Sequence, residues 1–201
     1  MYMKKLIIFL SFLFFTTISF AQDFKQDIAI ARSSYAAGKL EDAHFALLQA
    51  MQEIDMIVGK EVLKLLPMKM ADSLNVNTKD DHVMANSGYI GTTIHRSYGN
   101  MGQADIEIIN NSPMISTLNA FLNTPLLGGM MRDENTKIVK VQGYKARLEK
   151  QGDDGNGKST YNLQVPFGGA LLTFNVKSTT EPDILAMANN IPMQNIAKLV
   201  Q

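Results

Sequence analysis

An α+β protein is expected, with an N-terminal helical hairpin followed by a mostly antiparallel sheet of about five strands whose helices cover one face. Three observations predict it. Between Asp23 and Met56, apolar residues recur at three- and four-residue intervals on either side of Gly38, as in two amphipathic helices. Beyond residue 88 the period falls to two, and short glycine turns join neighbouring alternating runs, which implies antiparallel pairing. Helical stripes interrupt and follow those runs, and each needs a surface to be buried on.

The chain opens on what reads as a secretory signal peptide, residues 1–21. Lys4 and Lys5 give a positive start, the run LIIFLSFLFF is broken only by Ser11, and Ser19 and Ala21 occupy the positions a signal peptidase reads. The competing reading, an uncleaved N-terminal anchor, is disfavoured by the short apolar core and the cleavage site. Cleavage would leave Gln22 first, and no later segment offers the roughly 18 continuous apolar residues of a second span. The expectation is an exported protein, periplasmic or extracellular. The absence of cysteine suits a bacterial envelope and excludes disulfides, thiolate metal sites, thiol nucleophiles and a lipidated cysteine. Hydrophobic residues make up 46% of the 201, enough for a self-supporting core, and 19 basic against 19 acidic residues, scattered, give no nucleic-acid footprint.

Residues 22–67 read as the helical hairpin plus a short third helix. Ile28, Ala31, Arg32 and Tyr35 share one helical face, Gly38 ends it, and Ala43, Leu47, Ala50, Met51 and Ile54 form the second stripe. Tyr35-Ala-Ala-Gly38-Lys-Leu40-Glu-Asp-Ala43, followed by Leu47, Ala50 and Asp55, resembles one tetratricopeptide repeat over about 34 residues. The resemblance implies a turn glycine between two helices and an alanine that lets the second pack closely on the first. No second copy follows, and Met56-Ile-Val-Gly59 lacks the proline of the pattern. Repeats of this kind normally stack, so a lone unit must dock on the rest of the chain, another protomer or a partner.

Residues 68–87 are rich in Asn, Asp and Ser and read as a linker or loop before an α+β domain over 88–201. Tyr89–Tyr98 alternates, with Ile90, Ile94 and Tyr98 on one face and Thr93, His95 and Ser97 on the other. Gly99–Gly102 turns the chain into a second strand with Ile106 and Ile108. Ser112-Pro113 starts a helix carrying Met114, Ile115, Leu118, Phe121 and Leu122, which Pro125 stops. Lys137–Lys150 reads as one long strand whose alternation slips at Gly143, where a β-bulge is expected. The loop QGDDGNGK leads to Tyr161, Leu163 and Val165, a Gly168-Gly169 turn, and Leu172, Phe174 and Val176. Thr180 with Asp183 caps a helix, and a short final helix carries Ile196, Leu199 and Val200. Thr92 or Thr93, Asn162, Gln164, Thr173, Asn175 and Lys177 give the sheet a polar outer face. This element order resembles PsbP/Mog1-like envelope domains, a likeness that transfers no functional residue.

The search for chemistry yields little. Asp80-Asp81-His82 and His95 are weak candidate zinc ligands, because their spacing fits no zinc motif; His44 reads as a surface or hairpin-contact residue. No G-x-S-x-G turn surrounds a serine, and Gly88-Tyr89-Ile90-Gly91 lacks the further glycine of a phosphate loop. Asp153-Asp154 lies in a glycine-rich loop that lacks the terminal Glu of a calcium loop. Soft methionine thioethers could bind Cu(I), but most of the 13 methionines read as core filling. Met130/Met131 instead suggests an apolar contact patch. Asp72-Ser73-Leu74 resembles a bacterial O-glycosylation acceptor.

These readings favour a non-enzymatic exported binding protein with no cofactor and no assigned catalytic or metal residue. Its partner would be a protein or a small apolar ligand, with Tyr35, Leu47, Met130 and Met131 as contact candidates. The alternatives are a zinc or copper carrier or metal-dependent envelope enzyme using His82 and His95, and a structural protein that self-associates through the hairpin.

Overall fold

A computed structural model describes residues 20–72, 74–85, 91–100, 102–124, 135–153 and 155–200. Residues 1–19, most of the segment expected to be a signal peptide, lie outside the described residues, as do Ser73, Gly88, Tyr89, Ile90, Pro125, Met130, Met131 and Asp154. The chain divides into two compact units, the first reaching Ile54 and the second Asp55–Gln201.

The first unit is a helix pair, α1 (Phe20–Ala36) and the leading half of α2 (Leu40–Leu65). Gly38 joins them with φ of 74°, a left-handed conformation that glycine adopts without a Cβ penalty. Ala31, Ala43, Ala46 and Ala50 are all buried, so the two backbones approach through methyl groups. No separate third helix forms. α2 runs on through Gly59, where a Cβ would overlap a methyl of Val83, so the missing side chain lets the helix sit tight against the strands.

The second unit is a seven-stranded antiparallel sheet, confirming the α+β class but with seven strands rather than five. The strands are β1 (Val76–Met84), β2 (Thr93–Tyr98), β3 (Ala104–Asn110), β4 (Thr136–Val141), β5 (Tyr144–Asp153), β6 (Ser159–Phe167) and β7 (Ala170–Thr179). Their order, β1-β2-β3-β7-β6-β5-β4, is two meanders fused along the β3–β7 pair.

Both extra strands have a physical explanation. Where a linker was expected, β1 pairs with β2, but four of its residues, 78–81, stand opposite Arg96 alone. Where one bulged strand was expected at 137–150, the chain makes a hairpin: Gln142 and Gly143 have φ of 50° and 89°, the two positive values of a tight two-residue turn. A tight turn reverses the chain and restores Val139 and Ala146 to one face, which a bulge would also have done. Gln142 is held there by donating its amide to the carbonyls of Asn189 and Ile191.

Ile94, Tyr98, Ile106, Ile108, Leu163 and Phe174 point to one face of the sheet and are almost wholly buried. The second half of α2 covers this face with Val62, joined by Leu66 just past its end, as do α4 (Glu181–Ala188) and α5 (Met193–Ala197) with Ile184, Met193 and Ile196. Thr180 caps α4 as the sequence suggests, its hydroxyl accepting from Asp183 N. α3 (Met114–Asn123) lies over the opposite face, where Leu118 and Leu122 pack on Leu171. That face also carries polar residues, with Asp105, Glu107, Thr173 and Gln164 in neighbouring register. One of Thr92 and Thr93 is expected on the solvent-facing side, but both are buried.

Candidate functional site

Tyr35 and Leu47, singled out in sequence, come together. With Ile28, Ala31, Arg32 and Ala43 they line a groove of about 280 Å³ between α1 and α2. Small alanines at the helix contact leave the larger side chains at the margins, so Tyr35 stays 71% exposed and Leu47 48%. Met51 and Phe45 are also exposed on α2. Arg32 contributes the one charge of the groove lining and forms no ion pair among the described residues.

Glu53 on α2 is half-buried, and its Oε2 lacks a hydrogen-bond partner among the described residues. Burial raises its pKa, and Asp27 and then Asp23 raise it further by repulsion. The folded chain therefore binds this proton more tightly than the unfolded chain does. Its stabilising contribution is present at low pH and is lost as pH rises from the ordinary carboxylate range through the raised value. Glu53→Gln should accordingly be more stable than the wild type near neutral pH, with the difference closing towards about pH 4. Thermal denaturation across that range checks it; a gap independent of pH would exclude this origin.

The second cluster surrounds the irregular part of β1. Arg96 lies on the inward face of β2, 5% exposed, and needs a counter-charge there. The extra residues of β1 supply it: Asp81 takes two hydrogen bonds from the guanidinium, from Nε at 3.0 Å and Nη2 at 2.6 Å. Nη1 donates to the carbonyl of Leu66 just past the end of α2, and Tyr98 Oη donates to that of Pro67. Burial pulls the Arg96 pKa down, but the bond and charge of Asp81 more than offset it and the net direction is up. Asp80 is likewise occupied, accepting from Ser97 Oγ at 2.8 Å.

His82 and His95, far apart in sequence, are direct cross-strand partners. Their rings stack with centroids 4.6 Å apart and planes 22° from parallel. Both Nδ1 atoms lie within hydrogen-bond distance of one acceptor, the Asp80 carbonyl, at 2.9 Å and 3.1 Å. The acids proposed beside them, Asp80 and Asp81, thus hold the strand together with their carboxylates. Among the described residues no group of three or more His, Asp or Glu side chains is placed to hold a metal ion. His44 is exposed on α2, the surface alternative of its sequence reading.

A third feature is a cleft of about 410 Å³ in the second unit, walled by Met70, Leu74 and Met187 with Lys158, Lys177 and Asp183 at its polar side. That volume falls in the range of small-molecule sites, about 300–1,000 Å³. Sequence reasoning missed both the cleft and the Arg96–Asp81 pair. A cue for the pair was present: Arg96 sits between Ile94 and Tyr98 in the inward phase of an alternating strand, and a charge in that phase demands a buried partner. Compared with known proteins, the chain matches no family model and no curated protein sequence.

Proposed function

We propose that this is an exported, non-enzymatic interaction protein of the bacterial envelope whose tetratricopeptide-like helix pair takes up an amphipathic helix of another protein. The observation that carries the reading is the groove lined by Ile28, Tyr35 and Leu47, with its large apolar side chains left exposed. Contiguous exposed apolar surface of this kind marks interaction sites. A helix laid in a two-helix groove presents apolar anchors at three- and four-residue spacing. Arg32 on the lining adds a requirement for an acidic residue on the occupant, which sets polarity and register.

The test compares the native chain with the Tyr35→Ala/Leu47→Ala variant as baits in envelope extract. A captured protein is then purified and its affinity for each bait measured. Truncating two anchors should weaken binding at least about tenfold, since a central anchor contributes roughly 2 kcal/mol or more. The bait isolated from its own cells should begin at Gln22 and come from the envelope fraction. Equal affinity for both baits overturns the reading. So does a native chain that light scattering finds dimeric and the variant monomeric, which would assign the groove to a second copy.

A further inference from the structure

We propose that His82 and His95 form a two-imidazole site for a late first-row divalent cation, with Cu²⁺ held most tightly. The argument begins with proton placement. A backbone carbonyl only accepts hydrogen bonds, and its two lone pairs can serve two donors. With both rings on the Asp80 carbonyl, each imidazole carries its proton on Nδ1. In that tautomer the lone pair is on Nε2, the nitrogen left to meet a metal. An Nδ1–H bonded to a backbone carbonyl is the outer contact that orients histidine ligands and raises their basicity.

Placement supplies the rest. Cross-strand pairing puts the two side chains side by side on rigid backbone, so little ordering is needed on binding. Two neighbouring imidazoles take adjacent positions on an ion, and at about 2.0–2.1 Å from it their nitrogens lie roughly 2.9 Å apart. With ring centroids 4.6 Å apart and planes 22° from parallel, side-chain rotation that brings the two Nε2 edges together closes the site without moving the paired backbone. Asp105 Oδ1 lies 3.8 Å from His95 Nε2, too far for a hydrogen bond, and adds negative charge beside the ion. Glu107 pairs across the strands with His95 and adds a second. His82 is exposed, so a hydrated cation can reach the pair. Two imidazoles with water in the other positions suit the tetragonal preference of Cu²⁺, and Cu²⁺ heads the affinity order of the divalent series. Three or more protein ligands are not required of such an open site.

The experiment titrates the tag-free full-length chain with CuSO₄, ZnCl₂ and MgCl₂ by calorimetry. One equivalent of Cu²⁺ should bind, Zn²⁺ more weakly and Mg²⁺ not at all. His82→Gln and His95→Gln should each lower Cu²⁺ affinity about tenfold or more, because loss of a ligand exceeds the 10–100-fold effect of losing an outer contact. His44→Gln should change nothing. Electron paramagnetic resonance of the wild-type complex should show two equivalent nitrogens, a readout that does not depend on any variant folding. Absence of Cu²⁺ binding, binding unchanged in the His82→Gln/His95→Gln double variant, or a spectrum without nitrogen coupling overturns the proposal.

Discussion

Arg96→Ala should destabilise the protein by about 3–5 kcal/mol, the range for removing one partner of a buried ion pair. The guanidinium side chain is 6% exposed and that of Asp81 16%, so the remaining carboxylate would be left largely without water or a counter-charge. The Leu66 carbonyl would lose its donor at the same time. Replacing both partners by apolar residues, Arg96→Met with Asp81→Leu, should recover most of the loss, because the desolvation of two charges disappears with them. Urea denaturation of the two proteins at neutral pH decides. A loss under about 1 kcal/mol for Arg96→Ala would place the pair among solvated surface bridges. Tyr98 should remain a donor throughout: burial raises its pKa far above the phenol range, against the opposing pull of Arg96.

Phe174→Ala should have an effect of similar size, about 3–5 kcal/mol. Phe174 is fully buried on the central strand pair, between Ile106 of β3 and Leu163 of β6 in register. Strands on both sides fix these neighbours through backbone hydrogen bonds, so they cannot collapse into the space left behind, and an unfilled cavity adds to the lost transfer energy. Lys140→Ala on the exposed side of β4 should stay within about 0.5 kcal/mol. Denaturant midpoints for the two variants measure the contrast. A Phe174→Ala loss near that of Lys140→Ala would mean that this part of the sheet is not the cooperative core.

How much of this was legible depended on whether a segment's stability is local. The inward phases Ile94/Tyr98, Ile106/Ile108, Leu163/Val165 and Leu172/Phe174 were readable because alternation is written in the residues themselves. The turn glycine Gly38 and the cap Thr180 were readable for the same reason. β1 was not, since VNTKDDHVM has little strand propensity and is held by side-chain bonds to β2. Gln142-Gly143 was misread because a slip in alternation looks alike for a bulge and for a reversal; only the long-range pairing of Val139 with Ala146 separates them. The convergence of Tyr35 with Leu47 followed from helical spacing, whereas the stacking of His82 on His95 required knowing that β1 exists.

The irregular course of β1 has a consequence for how this protein behaves at high concentration. An open sheet ends in rows of unsatisfied amides and carbonyls that a neighbouring molecule can copy, the route to fibrous growth. Here one terminal strand is kinked where residues 78–81 face Arg96 and carries Lys79, Asp80 and Asp81 at the kink, so no straight template is offered. Crowded copies of this molecule should therefore resist polymerising through that side of the sheet.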